Sequence, residues 1–361
     1  MKRIFAGTAA ALLAAVLFLP VRVHAISAEK AIVLDAVSGR ILYEKNGDQR
    51  SLIASTTKIM TALLICEQCN VLDRMRIPKE AVGIEGSSMY LREGEVLTLQ
   101  ELLYGLMLSS GNDAAVALAI YCGGTVEGFV ERMNDKARSL GLTGTHFENP
   151  NGLDGQHHYS TARDLAVLAA YAMENPVFYQ TVSTKSVKVG ERYLRNHNKL
   201  LWQVEGADGV KTGYTKAAGR ILVSSATRND RRIIAVTLND PCDWQDHACL
   251  LEEGFARYRL QPVVRAGDRV DTMEVAGGEQ RQVEILAAED FSYYLAHGEM
   301  PQLMRPGTGF AYAPIAEGAH AGYVYVLLQG KAVGKVKVVY GQTIEQQPEE
   351  EKTLLEKLFG D

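Results

Sequence analysis

Ser51-Leu52-Ile53-Ala54-Ser55-Thr56-Thr57-Lys58-Ile59-Met60-Thr61 decides the reading of this chain, because a serine and a lysine three residues apart open a strongly apolar run. Ile59, Met60, Ala62, Leu63, Leu64 and Ile65 leave almost no polar stripe, so the helix they form belongs inside a core. Positions i and i+3 of a helix share a face, which lets Ser55 Oγ and Lys58 Nζ meet at the helix start. Unpaired backbone N–H groups and the helix dipole favour developing negative charge there. Lysine acts as a base only after losing its proton. Bringing its pKa from about 10.4 to near 7 takes roughly 4 kcal/mol, which burial and a neighbouring cation can supply.

Two further strings follow, Ser110-Gly111-Asn112 and Lys211-Thr212-Gly213. Each motif alone is weak. Ser27-Ala28-Glu29-Lys30 also matches Ser-x-x-Lys, but with no apolar helix behind it this copy reads as a solvated tail. Ser110-Gly111-Asn112 alone reads as a turn and helix cap, and Lys-Thr-Gly as a loop. The three in this order, the first on a buried helix and the last leading through Tyr214-Thr215 towards a strand, point to acyl-serine chemistry.

The rest of the chain supplies a mixed scaffold. Residues 31–34 and 40–43 read as a hairpin, and 99–108, 113–120 and 126–140 as helices. Thr161-Ala162-Arg163-Asp164 has capping-box spacing and opens another helix. Strand character returns at 221–226 and 232–238 around an Arg228-Asn229-Asp230 turn. Gln261-Pro262 is the expected hinge to an all-β segment ending in a hairpin at 323–340. The expected division is a leader over 1–25, a catalytic domain over 26–260, a β-rich domain over 261–345 and an acidic tail over 346–361.

Lys2-Arg3, an apolar stretch over 4–19, Pro20 and the small residues of Val23-His24-Ala25 make a secretory leader, shorter than a membrane span. Its removal leaves 35 basic against 43 acidic residues, a net charge of −8, which argues against a nucleic-acid partner. Five cysteines, Cys66, Cys69, Cys122, Cys242 and Cys249, are an odd count for a disulfide framework. A Cys242–Cys249 bridge is geometrically possible, but buried free thiols are the expectation. His247 near Cys249 has no second ligand pair, so neither a metal nor another cofactor is expected.

From about residue 27 to 260 the chain resembles the serine-type D-alanyl-D-alanine carboxypeptidases, the low-molecular-weight penicillin-binding proteins. The likeness rests on residues 51–61, Ser109-Ser110-Gly111-Asn112-Asp113-Ala114, residues 141–147, Tyr159-Ser160-Thr161-Ala162-Arg163-Asp164 and Asp208-Gly209-Val210-Lys211-Thr212-Gly213-Tyr214-Thr215. It implies an α+β fold of the β-lactamase/transpeptidase type, an antiparallel sheet flanked by helices, with a small C-terminal all-β domain. It also implies peptidoglycan stem peptides ending in D-Ala-D-Ala as substrate and β-lactam antibiotics as covalent inhibitors. By the same likeness Ser55 is the nucleophile, Lys58 the base and Ser110 a proton relay. Asn112 would orient Lys58 and the substrate amide. Lys211 and Thr212 would hold the terminal carboxylate, and the N–H groups of Ser55 and Tyr214, the latter beside Gly213, would form the oxyanion hole. His197 stands where some members carry an arginine.

A serine β-lactamase is one alternative, with Glu148 and Asn151 one residue short of Glu-x-x-x-Asn. A non-catalytic penicillin or muropeptide sensor is the other. Gly86-Ser87-Ser88-Met89 is either a cleft-rim loop or a plain turn. Tyr159 to Asp164, His146 and His158 read as structural. Leu354, Leu355, Leu358 and Phe359 form a short apolar stripe among Glu349, Glu350, Glu351, Glu356 and Asp361, so membrane contact through the tail is expected to be weak or absent.

Overall fold

A computed structural model describes residues 25–307 and 309–348. The expected leader and the acidic tail lie outside the described residues. The chain divides into two units, 1–254 and 255–361.

The first unit is built on an antiparallel sheet of β1 (Lys30–Asp35), β2 (Ile41–Lys45), β7 (Ala207–Thr215), β8 (Gly219–Arg228) and β9 (Arg231–Leu238), in the order β2-β1-β9-β8-β7. Short pairs β3 (Arg74–Arg76) with β4 (Val96–Thr98) and β5 (Ser186–Val189) with β6 (Arg192–Arg195) lie outside it. The Val, Ile and Leu content of β8 and β9 suits strands buried on both faces, and all but one residue of β9 are buried. Asn229 and Asp230 between them both take positive φ, the conformation that matches a two-residue hairpin turn to strand twist.

The α-helices among the described residues are α1 (Lys58–Gln68), α2 (Leu99–Leu108), α3 (Asn112–Gly123), α4 (Val126–Ser139), α5 (Ala162–Ala172), α6 (Pro176–Ser183), α7 (Leu200–Gln203) and α8 (Asp243–Arg257). Lys58 to Ile65 of α1 are all buried, as its all-round apolar sequence requires. A complete capping box of Thr98 and Glu101 starts α2. Thr161 caps α5 through the Asp164 N–H, but the Asp164 carboxylate does not return the bond. It accepts from Gly144 N and Thr145 Oγ1 instead, so the expected box is a cap plus a loop clamp. Buried His247 on α8 bridges Ser224 Oγ on β8 at 2.6 Å and Thr237 Oγ1 on β9 at 2.8 Å, and so pins helix to sheet.

Three expectations need correction. Gln261-Pro262 is not a hinge: both residues pair with Tyr293 and Ser292 inside β10 (Tyr258–Val264), and the division falls after Gly254, in the last turn of α8. Ser27 to Lys30 is no solvated tail, since Ala28 and Lys30 are buried and Ser27 Oγ donates to Asp240 and Asp246. The five cysteines are free, but Cys242 is exposed and the others are half-buried, so they are not core thiols.

Among the described residues the second unit, from Tyr258 on, is built of β-strands. Strands β11 (Arg269–Ala276), β12 (Gln282–Ala287), β14 (Gln302–Met304), β15 (Ala311–Tyr312), β16 (His320–Leu328) and β17 (Lys331–Tyr340) form a sheet in the order β14-β16-β17-β12-β11-β15, while β13 (Phe291–Ala296) pairs with β10. Alternating burial along β12 and β17 gives this sheet one core face.

Candidate active site

Ser55 sits in a 3-10 turn, Ala54–Thr57, that runs directly into α1. The turn is entered through Ala54 at φ +44°, and the serine of the second motif, Ser110, has φ +60°. A side-chain-bearing residue held in this left-handed region costs about 1–3 kcal/mol, and such strain gathers at functional sites. Close backbone contact holds the first turn. A Cβ on Gly152 would fall 1.9 Å from the Ala54 carbonyl oxygen, and one on Gly213 would fall 3.3 Å from Thr56 N. The turn is therefore gripped between the 150–152 loop and edge strand β7.

Within this grip Lys58 Nζ lies 2.9 Å from Ser55 Oγ, 2.6 Å from Asn112 Oδ1 and 2.5 Å from the Asn151 carbonyl oxygen. The lysine is fully buried. Burial first, then the nearby Lys211 charge, pushes its pKa well below the usual lysine range, against a smaller opposing pull from Asp113. Once neutral, Lys58 can give its two N–H bonds to Asn112 and Asn151 and turn its lone pair to the Ser55 hydroxyl. That arrangement can take a proton from the serine.

Asn112 opens α3 and also donates through Nδ2 to the Glu85 carbonyl, 2.6 Å away. The neighbouring Asp113 carboxylate accepts from Ser88 Oγ, Met89 N and Leu91 N. The loop at 85–91 thus wraps the Ser-Gly-Asn motif, and Ser87 reaches the cleft rim. Lys211 on β7 is fully buried, donates to its neighbour's Thr212 carbonyl at 2.9 Å, and is lowered by burial to about 7.

A cavity of about 280 Å³ is lined by Ser55, Ser110, Thr212, Gly213 and Tyr214, joined by Ser87, His197, Arg220, Asp243 and Trp244. All eight residues singled out from the motifs thus fall in one region: five line the cavity, and Lys58, Asn112 and Lys211 lie buried.

Similarity to known proteins follows the same geometry. The D-alanyl-D-alanine carboxypeptidase family profile matches residues 19–242, and the C-terminal domain of penicillin-binding protein 5 matches 258–346. The chain belongs to the D-alanyl-D-alanine carboxypeptidase family. Its reaction is that family's serine-type hydrolysis of D-alanyl-D-alanine peptides. D-alanyl-D-alanine carboxypeptidase DacF of Bacillus subtilis is 36% identical over 290 residues, 75% of this chain and 73% of the relative. DacC of Escherichia coli is 32% identical over 345 residues, 90% of this chain and 86% of the relative. The crystal structure of penicillin-binding protein 5 from Haemophilus influenzae superposes with a TM-score of 0.72 at 30% identity, covering 89% of this carboxypeptidase and 98% of that chain.

Other residues have structural partners. His158 Nδ1 accepts from Glu148 N, so its Nε2–H donates to Thr57 Oγ1 at 2.7 Å, and burial lowers its pKa to about 4. This neutral histidine braces the serine turn from behind. Glu148 is exposed and is not among the cavity-lining residues. Sequence reasoning missed the Asn151 carbonyl, the Asp113 clamp and the Arg220, Asp243 and Trp244 wall. Only Arg220 left a signal. It follows the Lys-Thr-Gly strand across a short turn, and pairing parity puts it on the face of Thr212 and Tyr214.

Proposed function

We propose that this carboxypeptidase removes the terminal D-alanine from peptidoglycan stem pentapeptides through an ester on Ser55. The observation that carries the assignment is the hydrogen bond from the buried Lys58 ammonium to Ser55 Oγ, the other two acceptors of that lysine being protein oxygens. Ser55 Oγ attacks the carbonyl carbon of the penultimate D-alanine while Lys58 takes the hydroxyl proton. The oxyanion receives the N–H groups of Ser55 and Tyr214, and losing one such donor costs about 10² to 10³ in rate. Ser110 passes a proton to the leaving D-alanine amine as the C–N bond breaks. Asn112 fixes Lys58 and the substrate amide, and Thr212 offers its hydroxyl to the terminal carboxylate beside Lys211. Water then cleaves the acyl-enzyme.

A β-lactam, whose strained amide mimics the scissile bond, forms the corresponding ester on Ser55. Action on peptidoglycan places the enzyme in the cell envelope, in keeping with the leader-like sequence over 1–25. The exposed position of Glu148 takes support from the β-lactamase alternative, which needs a carboxylate to activate water.

The test combines a fluorescent penicillin, intact mass over time, and release of D-alanine from diacetyl-Lys-D-Ala-D-Ala, with Ser55→Ala as control. A long-lived adduct on Ser55 together with released D-alanine is the expected result. Rapid loss of the adduct without peptide cleavage would replace this reading with a β-lactamase, and a stable adduct without turnover with a sensor.

A further inference from the structure

The cleft contains a guanidinium to which neither the motifs nor the family resemblance gives a role. Arg220 on β8 pairs with Tyr214 on β7. Partners across a ladder share a face, as do residues two apart on a strand, so Arg220, Tyr214 and Thr212 stand together on the cavity wall. Arg220 Nη2 donates to both carboxylate oxygens of Asp243 at 2.8 Å. The Asp243 side chain is 4% exposed and the Arg220 side chain 43% exposed. The Trp244 ring centroid lies 5.8 Å from the guanidinium carbon. One nitrogen is thus anchored, and among the described residues Nε and Nη1 have no hydrogen-bond partner. A flat guanidinium with one fixed end and free N–H donors fits a carboxylate with two parallel hydrogen bonds.

The alternatives in the cleft carry less charge. Lys211 is lowered to about 7 by burial and already donates to a backbone carbonyl. Burial and the adjacent Lys211 both lower the pKa of His197, which favours a neutral ring at pH 7. An arginine offers instead a planar, weakly hydrated cation with several donors in one fork.

We infer that Arg220, positioned by Asp243, binds the C-terminal carboxylate of the substrate and so sets the requirement for a free terminal D-alanine. This rests on the peptidase reading above.

The experiment measures kcat/KM for diacetyl-Lys-D-Ala-D-Ala and for its C-terminal carboxamide with wild type, Arg220→Ala, Arg220→Lys and Asp243→Asn. The acid-over-amide ratio is taken within each variant, so partial misfolding cancels. Arg220→Ala is expected to lower that ratio about 10- to 100-fold, the scale of a lost hydrogen bond to a charged group, through KM more than kcat. Arg220→Lys should recover part of it. Asp243→Asn should raise KM for the acid more than for the amide, and so lower the same ratio by less than Arg220→Ala does. A wild-type ratio in Arg220→Ala would overturn the assignment. Wild-type protein that releases no D-alanine from the acid would overturn the peptidase reading and this one with it.

Discussion

Two copies of Ser-x-x-Lys lie in this chain, and the fold treats them in opposite ways. Ser55 and Lys58 straddle the junction of a 3-10 turn and a helix, and their side chains meet at 2.9 Å. Ser27 and Lys30 lead into strand β1. Ser27 donates to Asp240 and Asp246, while Lys30 pairs with Glu29 at 2.7 Å. Residues 27–29 form no helix and lead into a strand, so the face shared by positions three apart on a helix does not exist there. What separates the copies is the secondary structure that the following sequence imposes: an all-round apolar run after Lys58, and Ala31-Ile32-Val33-Leu34 after Lys30.

The largest effect that sharpens this contrast is loss of the hydroxyl. Ser55→Ala should lower kcat for D-alanine release by about 10⁴-fold or more, the scale seen when a nucleophile is deleted. Ser27→Ala should stay within about twofold of wild type. Comparable losses in both, in correctly folded protein, would break the distinction.

Lys58→Met comes next, with an expected fall of about 10²- to 10⁴-fold in the acylation rate, the range for a general base. The pH profile supplies the sign. Lys58 must be neutral to accept a proton, and burial holds its pKa well below the ordinary lysine range, so wild-type acylation should decline as pH falls through that lowered value. Lys30→Met should leave the profile unmoved. An acid limb that survives in the residual activity of Lys58→Met would assign the titration to another group.

Gly152→Ala tests the grip on the serine turn. A Cβ there would fall 1.9 Å from the Ala54 carbonyl and 3.0 Å from Ser55 N, and Gly152 itself has φ +89°. A shift of about 1 Å at the nucleophile is worth roughly 10²-fold in rate. Penicillin acylation of Gly152→Ala should slow by that order, and an unchanged rate would mean that the turn does not depend on the loop behind it.

Much of this was legible before any coordinates. The α1 core helix, the Leu99 to Leu108 helix, the β8–β9 hairpin and the three motifs follow from local pattern, because burial and turn geometry act over a few residues. The Asn151 carbonyl was hidden because a backbone oxygen carries no residue-type signal. Asp113 was hidden because its loop partners come from residues 88–91, a long-range contact invisible to spacing. Gln261-Pro262 misled because a proline is tolerated where its missing N–H costs no ladder bond, and here it lies within β10 beside an irregularity in the pairing.

The smallest expected effect belongs to the silent copy. Ser27 Oγ donates at 2.7 Å to Asp240 and at 2.8 Å to Asp246, two buried carboxylates, and Ser27 N donates to Asp246 at 2.6 Å. Removing the hydroxyl takes one donor from acceptors that remain buried, which typically costs about 1–3 kcal/mol. Burial already raises the Asp240 pKa, and the Ser27 bond opposes that rise. In Ser27→Ala the Asp240 carboxyl should therefore climb further, and the lost stability should grow as pH rises through its range and shrink in acid, where the group is protonated in folded and unfolded chains alike. Denaturant midpoints of wild type and Ser27→Ala, followed over a pH series that begins below the ordinary aspartate range and ends in mild alkali, read this directly. A difference independent of pH would make Ser27 a packing residue, while a pH-dependent loss of stability with unchanged kcat would give this second Ser-x-x-Lys a purely structural task at the start of the sheet.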